Sequence, residues 1–126
     1  MSEILRQANP EWVAKRLIIE HYNRASTLMG LAAIEPRQHL AEFKASVAAL
    51  YGFIREKMYK YHVGVGKEKL EKYDNFLKDR KTLMRASYGE IVEWFFDVQK
   101  AVERLGYTKF ERQIDIEKAM EASRGG

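Results

Sequence analysis

"LAEFKASVAALYGFIREKMYKYH", Leu40 to His62, places apolar residues at Leu40, Phe43, Val47, Leu50, Ile54, Met58 and Tyr61, in steps of three or four. That spacing returns to one face of a helix at every turn, and no strand period fits it. A helix over 37–62 follows, with a single apolar stripe to bury. At a rise of ~1.5 Å per residue it spans about 39 Å, long enough to be the central member of a bundle.

Neighbouring segments repeat the pattern. Ile91, Phe95, Val98, Val102 and Leu105 form a second stripe, and Ile18, Tyr22, Ala25, Met29 and Ala32 a third. Leu70, Tyr73, Phe76, Leu77 and Met84 mark a narrower one in a strongly charged stretch. Helix starts are legible as well. Asn9-Pro10-Glu11 supplies a cap, a proline suited to the first helical position and an acid in the first turn, and Pro36 follows Glu35 in a similar place. Ser87 with Glu90 and Thr108 with Glu111 match the capping box, in which hydroxyl and carboxylate satisfy each other's orphan amides. Gly106 stands where a helix ending at Leu105 wants a left-handed residue. The expected fold is all-α: one domain over 1–126, a bundle of helices at 10–33, 37–62, 67–86 and 88–105 with a shorter fifth at 109–123, and flexible ends at 1–8 and 124–126.

Composition narrows the chemistry. With 46% apolar and 32% charged residues, the chain can bury a core and is not of the disordered class. It has no cysteine, which excludes disulfides, thiolate metal sites and thiol nucleophiles. No apolar run reaches membrane-spanning length and the N-terminus lacks a signal-peptide layout, so a soluble intracellular protein is expected. A surface rich in Lys, Glu and Arg is compatible with a heat-adapted source.

"MYKYHVGVGKEK", Met58 to Lys69, resembles a phosphate loop only at first sight. A Walker-A loop needs a glycine five residues before Gly66 and Ser or Thr after Lys67, between a strand and a helix; Tyr61, Glu68 and a preceding helix stand there instead. The segment reads as an inter-helix turn. The charge around it is uneven. From Arg55 to Arg85 there are ten basic and five acidic residues, and from Glu90 to Glu121 five basic and eight acidic. The bland reading is a solvated helix laced with Asp74–Lys78 and Glu68–Lys72 pairs. The functional reading is a ridge that tracks nucleic-acid phosphates, DNA or RNA, built from Arg55, Lys57, Lys60, Lys67, Lys69, Lys81 and Arg85, with Tyr59 and His62 placed to stack or hydrogen-bond. The opposite signs of the two halves also suit a homo-oligomer in which the basic hairpin of one copy docks on the acidic half of the next. Trp94 and Phe96 cannot both lie on the line of Phe95, so one of them is expected at an interface, together with Phe110 and Met120.

Two spacings carry a family resemblance. Arg16-Leu17-Ile18-Ile19-Glu20-His21, and Arg55 followed by His62, resemble the loose R-x4–6-H signature of HEPN ribonucleases, small helical bundles that dimerise. The resemblance implies an imidazole for proton transfer and a guanidinium for the scissile phosphate. A metal site is not expected, since His39 and Glu42 form a single E/H spacing without a second copy, and no dinucleotide fingerprint or other cofactor motif is present. The leading expectation is a non-enzymatic helical protein that self-associates and contacts nucleic-acid backbone. A protein-interaction module without nucleic acid and a HEPN-like ribonuclease are the alternatives.

Overall fold

A computed structural model describes residues 10–61 and 65–106. Five helices follow one another: α1 (Pro10–Ile34), α2 (Pro36–Tyr61), α3 (Lys67–Lys78), α4 (Arg80–Arg85) and α5 (Tyr88–Arg104), and no strand occurs among the described residues. The fold is all-α. Prolines open α1 and α2 at the position where their missing N–H would have no intrahelical partner. At the start of α5, Ser87 Oγ accepts from Glu90 N at 3.2 Å while its hydroxyl meets Glu90 Oε1 at 3.4 Å. Gly106 closes that helix with φ of 82°, a conformation in which any Cβ is strained. The expected helix at 109–123 lies outside the described residues.

The expected single helix over 67–86 is two helices. Asp79 is extended, at φ −123° and ψ 105°. Its backbone N–H still donates to Asn75 O at 3.0 Å and so closes α3. Its carboxylate accepts from Lys81 N at 3.0 Å and Thr82 Oγ1 at 2.8 Å and so opens α4. An aspartate that satisfies two orphan groups of a new helix competes with continuing the old one. The turn lets Leu83 and Ala86 reach the core, where both are buried.

α2 is central, packed against α1, α3, α4 and α5. Phe43, Val47, Leu50, Tyr51, Ile54 and Met58 are each fully buried, as its apolar stripe requires. α1 and α2 form a hairpin, and α5 runs antiparallel to α1: Tyr88 Oη donates to Met29 O, and eleven residues later Gln99 Nε2 donates to Tyr22 Oη, both at 2.8 Å. From α5, Trp94 enters the middle of the core. Its ring stacks on Tyr73 of α3 (5.4 Å, 16°), meets Tyr51 of α2 edge-on (5.4 Å, 66°) and lies 5.1 Å from Phe76. α4 is held to α2 by Lys44, whose buried Nζ donates to Met84 O at 2.7 Å. Burial pushes that ammonium's pKa down, with Glu90 opposing the shift.

Candidate nucleic-acid interface

The charge of α3 sorts by pairing. On its inner side, the Asp74 carboxylate accepts from three successive turns of α2: Tyr51 Oη at 2.7 Å, Arg55 Nε and Nη2 at 2.6 and 3.0 Å, and Tyr59 Oη at 2.6 Å. Burial alone pushes this carboxyl up, but the three donors outweigh it and hold the pKa at about 2. The same contacts raise Arg55 and Tyr59, and burial together with Asp74 raises Tyr51. A second buried carboxylate, Asp97 of α5, accepts from Tyr73 Oη and from Lys69 Nζ. Lys69 also lies 2.9 Å from Glu93, and Lys72 lies 3.7 Å from Glu90.

These contacts correct the sequence-based picture in three ways. Asp74 pairs with α2 rather than with Lys78, and Lys72 with Glu90 rather than with Glu68. Of the residues expected to meet phosphate, Arg55 and Tyr59 bond to Asp74, and the half-exposed Lys69 pairs with Glu93 and Asp97. The opposite charges of the two halves meet within one chain, with α3 docked on α5, so at Lys69 and Lys72 they do not stand ready for a second copy.

The remaining cations face outward. Lys60, Lys67, Lys81 and Arg85 are exposed, as are Lys78 and Arg80, which the ridge did not include. Lys60 Nζ lies over the Tyr61 ring at 5.4 Å. None of the six is held in an ion pair among the described residues. Lys67 and Lys78 are eleven residues apart, close to three full turns, so they share one stripe of α3 about 16 Å apart along its axis. Glu71 lies between them, and Asp74, seven residues on from Lys67, leaves the same line to bond into α2. Lys60 flanks one end, and Arg80, Lys81 and Arg85 of α4 follow the other. Lys57 is half-buried and already has a partner. His62 lies outside the described residues.

Of the two aromatic residues expected to compete for an interface, Trp94 is wholly buried and Phe96 is 44% exposed, so Trp94 is a core residue and Phe96 carries the exposed surface. Phe110 and Met120 lie outside the described residues. The arginines of both arginine–histidine spacings are held in ion pairs, and His62 of the second spacing lies outside the described residues. Arg16 pairs with Glu20 at 3.2 Å, His21 stacks on Phe53 at 5.1 Å, and Arg55 is bound to Asp74. Among the described residues no group of acidic and histidine side chains is arranged to hold a metal ion, and no helix is long and apolar enough to cross a membrane.

The cations that sequence reasoning missed, Lys78 and Arg80, had a signal in the four basic residues among Lys78 to Arg85. The clasp residues had none, because a carboxylate's choice between a lysine four residues on and a tyrosine on another helix is decided by packing. Compared with known protein families, with curated proteins and with solved structures, the chain matches none.

Proposed function

We propose that this is a non-enzymatic helical protein that holds nucleic acid through backbone phosphates along the outer edge of α3 and the adjoining α4, and that self-associates through the face bearing Phe96. The observation that carries the reading is the sorting of lysines on α3. Lys69 and Lys72, each about half exposed, are paired with acids of α5. Lys67 and Lys78, exposed as well, make no ion pair among the described residues and continue into Lys60 on one side and Arg80, Lys81 and Arg85 on the other. Cations so placed displace condensed counterions from a phosphate backbone, whose charges recur every ~3.4 Å of axis per strand; the stripe covers the rise of about five base pairs. Contacts of this kind position a nucleic acid without reading its sequence.

Anisotropy of labelled random duplex DNA and single-stranded RNA over a salt series tests the reading. Wild-type protein is expected to bind with log K falling linearly in log salt, and K67E/K78E/K81E to lose binding at low salt. Lys72→Ala, which removes a lysine already paired with Glu90, is expected to leave affinity unchanged, and Glu71→Gln to tighten it by removing a repulsive charge from the stripe. No binding by the wild type at low salt overturns the nucleic-acid reading and leaves the protein-interaction module.

A further inference from the structure

On the side of α2 turned away from Asp74 lies a depression of about 190 Å³ between α1 and α2, lined by His21, Arg24, Glu42, Ala45, Ser46 and Ala49. It exists because α2 presents alanines there, where larger side chains would close the gap. Ser46 and Ala49 fall roughly half a turn from Tyr51, so the depression and the clasp use opposite faces of one helix.

Its chemistry is balanced. Arg24 of α1 and Glu42 of α2 stand on opposite walls, both exposed, and neither makes an ion pair among the described residues. Ser46, 6% exposed, borders the depression from the α2 side. The His21 ring, stacked on Phe53 at 5.1 Å and 29°, adds one more polar group on the α1 wall beside Arg24.

From this geometry we infer a binding site for a small zwitterion of the α-amino acid class. The guanidinium of Arg24 supplies paired donors for a carboxylate. The Glu42 carboxylate accepts from an ammonium group, and the Ser46 hydroxyl supplies a donor or an acceptor between them. A phosphate dianion meets Arg24 but brings its charge against Glu42, and a polyamine meets the reverse conflict with Arg24. A ligand carrying one charge of each sign, net neutral, matches both walls. The volume suits a compact molecule, since a cavity of roughly 150 Å³ already admits benzene.

The test is titration of the ¹⁵N-labelled full chain, followed by amide NMR, with glycine, L-serine and L-aspartate, and with serine amide, N-acetylserine, inorganic phosphate and putrescine as comparators. Saturable shifts centred on Ala45, Ser46 and Ala49 with millimolar affinity for at least one amino acid are expected. Arg24→Gln and Glu42→Gln are each expected to weaken that amino acid at least tenfold. Both residues are exposed, so both variants are expected to keep the wild-type spectrum elsewhere. The comparators separate the two walls: serine amide is expected to be insensitive to Arg24→Gln, and N-acetylserine to Glu42→Gln. Absence of saturation with every amino acid, equal binding by both variants, or saturation by phosphate or putrescine alone overturns the assignment.

Discussion

α5 and α3 are fastened to the same central helix by different means. α5 buries Ile91, Trp94, Phe95, Val98 and Val102 against α2 and α1, a continuous apolar face whose stability scales with area removed from water. α3 contributes Leu70, Tyr73 and Phe76 to the core, but its grip on α2 also runs through one carboxylate with three donors. The apolar face tolerates changes that preserve volume. The polar clasp depends on Asp74, because removing it leaves the buried Tyr51 and the half-buried Arg55 and Tyr59 without their shared acceptor.

Substitutions in the two regions sharpen that contrast, and the largest expected effect lies in the apolar one. Trp94→Ala removes the ring shared by α2, α3 and α5 and is expected to cost about 3–5 kcal/mol in chemical denaturation. Asp74→Ala strips the acceptor from Tyr51, Arg55 and Tyr59 and is expected to cost about 2–3 kcal/mol. If the two costs were reversed, the view that α3 adds a polar fastening to an apolar core would fail.

Acid probes the clasp without mutation. The Asp74 carboxyl titrates near 3.8 when unperturbed and at about 2 in the fold. A depressed folded-state pKa means that the unfolded chain binds the proton more tightly, so the contribution is fully present above that unperturbed value and is lost as pH falls toward about 2. The shift corresponds to about 2 kcal/mol. Asp79 and Glu93 are lowered too, by Thr82 and Lys69 respectively, so the clasp is isolated by the difference between wild type and Asp74→Asn, whose denaturation midpoints are expected to converge as pH falls through that window. The smallest effect is expected from Lys72→Ala, where a half-exposed pair with Glu90 is lost and the thermal midpoint is expected to stay within experimental error of the wild type.

The apolar half of this contrast was readable from sequence and the polar half was not. Periodicity placed α1, α2 and α5 to within a residue of their observed ends, because spacing of three and four is imposed by the helix itself. The Ser87–Glu90 capping box and Gly106 are local geometry and were equally legible. The break at Asp79 was written in the chain, since aspartate two residues before Lys81 N and three before Thr82 is a cap, but the basic run around it read as one continuous helix. At the candidate interface, charge counting found the basic hairpin and overstated it. A count cannot tell Lys69, paired with Glu93 and Asp97, from Lys67, two residues away and in no ion pair among the described residues. Trp94 and Phe96 differ for the same reason, since two positions along a helix separate a core face from a solvent face.

The Asp74 clasp has a consequence for alignment as well as for stability. Tyr51, Arg55 and Tyr59 recur every four residues along α2, and one carboxylate on α3 meets all three. Two apolar helices can slide by a fraction of a turn and re-pack with modest loss, but displacing α3 along α2 by a single turn takes Asp74 beyond at least one of its donors. The clasp therefore acts as an index mark. It fixes the register of α3 on α2, and through Asp79 and Lys44 the position of α4, so the spacing of the outer lysines is set by an interaction that none of them makes.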